Sequence, residues 1–214
     1  MVGWVSPRRV DLVSERSGWM VTTHDWSDDL DTHHLALVRE NAAVYGAGGL
    51  RHMILEVLAY ANDEAEARCS VGLAVVSMTD DGTVTIADDG RGTDTRLDQH
   101  GKAVRKPVMA TRDIRFFDVA DGPTLPDGLP RRGMSTVAAL SSVLVHENRR
   151  SNGTWTQTYR YGIPDAALHA LPRAPRTGTV VTFRPDARIG GPTRLMSGDA
   201  RAFPWLRLEM RDRG

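Results

Sequence analysis

Apolar positions fall into two rhythms along the chain. Leu50, Met53, Ile54, Val57, Leu58, Ala61 and Ala65 recur at the spacing of a helix that buries one broad stripe. Glu56, Tyr60 and Asp63 are four and three residues apart, so they share a different face of that helix. A face bearing two carboxylates and a phenol beside a buried stripe is the first place to look for chemistry. A second helix is predicted to begin near Thr32, where Ser27-Asp-Asp-Leu-Asp31 offers capping side chains, and a third, rich in small residues, opens at Gly133.

The other rhythm is that of strands. Ser70–Met78 and Thr83–Ala87 flank an Asp-Asp-Gly turn, and Val143–Arg149 and Thr154–Tyr161 flank Ser151-Asn-Gly153, so each pair predicts a hairpin. Thr179–Arg184 and Trp205–Met210 predict two further strands. Val10–Val13 and Trp19–Thr23 suggest a hairpin or arm at residues 1–35, ahead of a main domain at 36–214. Residues 95–132, mixed in Arg, Asp, Pro and Gly, predict a lid-like excursion with one short helix near 105–113. Adjacent hairpins with helices set between them imply an α+β fold: a two-layer sandwich, mostly antiparallel, with helices on one face.

Composition narrows the class. The 214 residues contain 25 Arg, 2 Lys and 27 acidic side chains, a formal charge of zero that argues against a general nucleic-acid coat. A single cysteine, Cys69, excludes an internal disulfide framework and a cysteine-cluster zinc site. His33, His34, His52 and Cys69 fit no metal-ligand spacing. No apolar run reaches the ~20 residues that span a bilayer, and the N-terminus lacks a secretory apolar core, so a cytoplasmic protein is expected.

The motifs occur in a specific order: Val38-Arg-Glu-Asn-Ala-Ala-Val-Tyr45-Gly, Gly49-Leu-Arg-His-Met53, Glu56-Val, Asp63-Glu-Ala65, Asp88-Asp-Gly-Arg-Gly92, Gly133 opening a helix, and Thr177-Gly-Thr179-Val-Val-Thr-Phe183. Over roughly residues 36–190 this series resembles the N-terminal ATP-binding domain of the DNA gyrase B and topoisomerase IV proteins, of the GHKL or Bergerat fold. The resemblance implies roles. Asp88 would accept a hydrogen bond from the adenine amino group, Gly92 and Thr179 would complete that pocket, and Val57, Ile86 and Val181 would line it. A carboxylate facing an exocyclic amine between apolar walls reads adenine by shape and one polar pair. Arg91 and Glu64 match a bracing pair, Arg150 matches an arginine at the pocket rim, and Glu56 matches the general base that activates water toward the γ-phosphate. The family's further domains do not fit in 214 residues, so a fragment, or a chain acting beside another protein, is expected.

Two departures bear on hydrolysis. Where the family has an asparagine that holds Mg²⁺, four residues after the glutamate, this chain has Tyr60, a poor ligand for a cation that wants compact oxygen donors. Asn62 lies about 240° round the helix from Glu56, and Asp63 roughly 10 Å along it, so neither restores the ligand. The phosphate loop reads Gly128-Leu-Pro-Arg-Arg-Gly133: Pro130 lacks an N–H and Arg131 replaces a glycine. Arg131 and Arg132, with Gly133 at the helix start, could hold phosphates by charge in place of the metal. The expected function is therefore adenine-nucleotide (ATP) binding, with slow hydrolysis at Glu56 and no Mg²⁺ site of the family's kind. The alternative is a non-catalytic regulatory protein that keeps the fold and engages a gyrase-type partner.

Overall fold

The computed structural model describes residues 24, 30–117, 119, 121–165 and 167–212. The strands expected at Val10–Val13 and Trp19–Thr23 lie outside them. Helix α1 (Thr32–Glu40) starts where the acidic run placed it, with Asp31 accepting the His34 N–H at 2.9 Å. One turn, α2 (Ala42–Tyr45), leads into α3 (Gly49–Ala67). All seven residues of the α3 stripe are buried, and so are Leu55 and Ala59, so the helix is sunk on most of its circumference.

The sheet is built from β1 (Gly72–Met78), β2 (Val84–Asp88), β5 (Ser141–Arg150), β6 (Gly153–Arg160), β7 (Ile163–Pro164), β8 (His169–Leu171), β9 (Gly178–Pro185) and β10 (Leu206–Asp212). Its order is β10-β1-β2-β9-β5-β6-β7, with β8 also paired to β6. Every pairing is antiparallel except that of β10, which runs parallel to β1. Ala74, Val76, Val84, Ile86, Leu144 and Phe183 meet the apolar residues of α3 and α4 (Met134–Ala139) in one core. The α+β sandwich expected from the sequence is the fold observed. No helix among the described residues is long and apolar enough to cross a membrane.

Two expectations need correction. The helix opening at Gly133, expected from the sequence to end at Ala139-Leu-Ser141, stops at Ala139, because Ser141 already pairs with Pro185 and turns its hydroxyl back to the Val137 carbonyl. The stretch 95–132 is no loose excursion and has no helix at 105–113. It forms a small hairpin, β3 (Thr95–Leu97) with β4 (Ala103–Arg105), followed by turns. There the Pro107 carbonyl takes the Ala110 and Thr111 N–H groups, and the Asp113 carboxylate takes the Arg115 N–H, a local bond that competes with helix continuation. Met109, Ala110 and Phe117 are buried, and Phe117 stacks on Tyr45 at 5.7 Å, which pins this stretch onto the first helices.

A buried ion pair ties α3 to the chain before β10. Arg51 donates to both oxygens of Asp199, at 3.0 and 2.6 Å, and Asp199 also accepts the Met196 N–H. Removing one partner strands the other charge. Asp199→Ala is expected to lower the unfolding free energy by about 3 kcal/mol in urea titration. A loss under about 1 kcal/mol would show that the pair is solvated and structurally idle.

Candidate functional site

A cavity of about 540 Å³ opens between α3, the end of β2, β9 and the stretch after β4. That size suits a small organic ligand. Of the residues singled out in the sequence, Val57, Tyr60, Asp63, Glu64, Asp88, Arg91, Gly92, Arg150, Thr179 and Val181 line it. Ile86 does not: it pairs with Val181 and sits in the core behind the wall. Glu56, Arg131, Arg132 and Gly133 do not line it either.

Asp88 is the last residue of β2. Its Oδ1 accepts the Gly90 N–H at 2.8 Å and the Thr179 N–H at 3.2 Å, leaving Oδ2 as the oxygen free to meet a ligand. The glycine motifs are needed for this approach. At Gly178 a Cβ would collide with the Asp88 carbonyl oxygen, and at Gly92, where φ is +80°, it would lie 2.8 Å from the Arg149 carbonyl oxygen. Burial pushes the Asp88 carboxyl up to about 6, against the opposing pull of the two backbone N–H bonds.

Around the rim, Arg91 closes on Glu64 through Nε and Nη2 at 2.6 and 3.0 Å, joining α3 to the Asp88–Gly92 turn. Burial would raise the Glu64 carboxyl, but the Arg91 bonds outweigh it and hold the group below its ordinary value. This pair is partly exposed, so its contribution is to shape more than to stability. Arg150 donates to the Gly92 carbonyl at 2.9 Å and approaches Asp94 at 3.7 Å.

The other end of the α3 face is arranged differently from the sequence reading. Glu56 is fully buried, and its two oxygens accept the backbone N–H groups of Arg132 and Gly133, at 2.5 and 3.1 Å. The His52 Nε2 stands 3.6 Å from Glu56, and its Nδ1 is 2.7 Å from Asp127. Burial alone would lower the His52 ring; the two carboxylates more than offset it and raise it. Two of the backbone donors in the turn that leads into α4, those of Arg132 and Gly133, are therefore already taken by a carboxylate of the chain itself.

Arg131, expected to face phosphate, is turned to α3. It bonds Asp63 at 3.2 and 2.8 Å, and its guanidinium lies over the rings of Tyr60 and Phe116, 4.8 and 4.0 Å from their centres. The Arg132 guanidinium lies 5.7 Å from the centre of the Tyr45 ring, and Arg132 does not line the cavity. Tyr60 donates its hydroxyl to Asp113 at 2.6 Å, and Asp113 is held in turn by Arg115 at 3.0 and 2.7 Å. Burial first, and Asp113 second, keep the phenol protonated far above its ordinary range. A hydrogen-bond donor locked onto a carboxylate cannot ligate a cation, so the residues here do not fit Mg²⁺ as the family would hold it. Among the described residues no three His, Cys, Asp or Glu side chains are grouped to hold a metal.

Sequence reasoning missed several wall residues: His24, Lys106, Arg115 and His146. Burial pushes the His24 ring down to about 4. Only the folding of the 95–132 stretch brings Lys106 and Arg115 to the cavity, and no local spacing marks them. One available signal was rarity, since Lys106 is one of two lysines in an arginine-rich chain.

A helix-backed, mostly antiparallel sheet with a glycine-guarded carboxylate at a strand end defines the GHKL, or Bergerat, class. No family model matches the chain, but individual proteins of that class do. The chain is 31% identical over 184 residues to the DNA gyrase B protein of Streptomyces coelicolor, covering 84% of this chain and 27% of that protein. It is 32% identical over 153 residues to the DNA topoisomerase 4 B protein of Staphylococcus epidermidis, covering 71% of this chain and 23% of that protein. A topoisomerase IV ATP-binding domain of Francisella tularensis, solved with a small-molecule inhibitor, superposes with a TM-score of 0.61 at 19% identity, covering 83% of this chain and 50% of the other. The chain belongs to the family of the DNA gyrase B and topoisomerase IV B proteins, and spans about a quarter of the length of those relatives.

The raised Asp88 carboxyl has a consequence for stability. Between its ordinary value near 3.8 and about 6, the folded chain holds a proton that the unfolded chain has released. Stability therefore falls as pH rises through that window, and the cost is fully present above it. Asp88→Asn keeps an Oδ1 acceptor for both N–H groups and removes the charge. It is expected to gain stability relative to the parent at pH 7 but not at pH 4, in urea titrations at the two values. An equal change at both would show that Asp88 ionises as freely as in water.

Proposed function

We propose that this domain binds an adenine nucleotide in the cavity at Asp88 and does not hydrolyse it efficiently. The observation that carries the reading is the Asp88 carboxylate. It is buried at a strand end with one oxygen tied to two backbone N–H groups and the other turned to a cavity walled by Val57 and Val181. An aimed acceptor between apolar walls suits the adenine amino group and repels the oxo group of guanine. The topoisomerase IV domain with the same fold is an ATP-binding domain, which supports the choice of ligand.

The absence of efficient turnover follows from Glu56. To act on water beside a γ-phosphate, its carboxylate would have to exchange two backbone N–H groups for the water. Tyr60 and Arg131 fill the space beyond it, and the residues there do not fit the divalent ion that would neutralise a transferring phosphoryl group. This favours the regulatory alternative over a slow ATPase: a domain that senses a nucleotide, and whose output is delivered to a partner of the gyrase type.

Calorimetry separates the roles. In Asp88→Asn the amide keeps its oxygen on the two N–H groups and turns its NH₂ to the cavity, where it opposes the adenine amine donor to donor. Adenine-nucleotide affinity is expected to fall about 100-fold, near 3 kcal/mol. Glu56→Ala is expected to leave affinity within about 3-fold, because Glu56 lies off the cavity. Comparable losses from both would overturn the assignment. Tyr60→Asn alone is expected to release no phosphate from Mg²⁺-ATP above background, since Glu56 stays engaged; a metal-dependent turnover in that variant would show that the phenol was the sole block.

A further inference from the structure

The cavity wall carries four cations, and three of them are spent. Arg91 is closed on Glu64, Arg115 on Asp113, and Arg150 on the Gly92 carbonyl. Lys106 is the exception. It follows β4, is half-buried at the wall, and among the described residues meets no acceptor within hydrogen-bonding distance of its ammonium. Burial first, and the neighbouring Arg115 second, lower its proton affinity, and the attraction of Asp113 and Asp94 does not make up the difference. A desolvated ammonium without a partner is costly, and the cost disappears when an anion enters the cavity.

The surroundings limit that anion to a small one. The wall carboxylates Glu64, Asp63 and Asp94 are matched by Arg91, Arg131 and the nearby Arg150, so a triphosphate without metal would bring its several charges to one unspent cation. The Arg132 and Gly133 N–H groups, in the turn before α4, are held by Glu56.

We propose that the ligand is a nucleoside monophosphate, adenosine with a single phosphate, and that Lys106 holds that phosphate without a metal. This rests on the adenine reading of Asp88 given above. Arg115, fixed by Asp113, is a positioning residue beside it: its fixed charge keeps Lys106 from folding back along the wall and favours an anion between the two. Selection among adenine nucleotides is then by phosphate count, with the monophosphate preferred over the triphosphate.

The test is calorimetric titration of the whole chain with adenosine, adenosine monophosphate and ATP, each in EDTA and in excess Mg²⁺. The monophosphate is expected to bind at least 10-fold tighter than adenosine and tighter than ATP, in both media. Lys106→Met should bring the monophosphate down to the affinity of adenosine without changing adenosine itself, and Lys106→Arg should keep most of the gain. A monophosphate no tighter than adenosine, a gain that survives in Lys106→Met, or Mg²⁺-ATP as the tightest ligand would each overturn the proposal. Adenosine and its loss in Asp88→Asn read the adenine assignment separately. If adenosine binds and the phosphate adds nothing, only the role of Lys106 falls; if adenosine does not bind, both fall.

Discussion

The disposition of the site depends on a buried carboxylate that cannot be left without donors. Glu56 sits fully inside the protein on a helix sunk into the sheet, and water cannot reach it to solvate the charge. The chain supplies two backbone N–H groups from the turn before α4 instead. That choice sets the turn against α3, brings Gly133 up to the Tyr60 hydroxyl and Asp113, and leaves room for Arg131 only where it stacks on two rings and pairs with Asp63. One electrostatic requirement thus closes the turn before α4 onto α3 around Glu56, while the half at Asp88 stays open as the cavity.

The two halves also differ in how they tolerate change. On the open side, recognition rests on a strand end and on glycines whose backbones touch, geometry that the sheet enforces whether or not a ligand is used. On the closed side it rests on side chains: Tyr60 donates to Asp113, and Arg131 pairs with Asp63. Most polar atoms of this cluster are hydrogen-bonded, which limits its cost to the fold, but among the described residues the buried Arg131 Nε has no partner.

Most of the fold is legible in the sequence because its signals are local. The α3 stripe, the Asp-Gly and Asn-Gly turns and the Asp31 cap each act within a few residues, and each lies where the pattern places it. The open side of the site is legible as well, since Asp88, Gly92 and Thr179 sit in short glycine-bearing motifs. What the pattern does not show is long-range. The loop preceding α4 looks electropositive and exposed, yet the partner of Arg131 lies on α3, 68 residues earlier, and nothing near residue 131 announces it. The stretch 95–132 looks like a lid, but its aromatic residues dock on α1 and α2. Lys106 escapes notice for the same reason. Its importance comes from which neighbours lack it as a partner, and that property exists only after folding.

The order of the strands gives the recognition carboxylate a further consequence. The sheet consists of β10, β1 and β2 on one side and β9, β5, β6, β7 and β8 on the other, and these halves are stitched only by β2 against β9, over four residue pairs from Val84 to Ala87. The bond from the Thr179 N–H to Asp88 is the next stitch along that seam. A ligand at the free Oδ2 would therefore sit beside the end of that seam, next to the bond that crosses it.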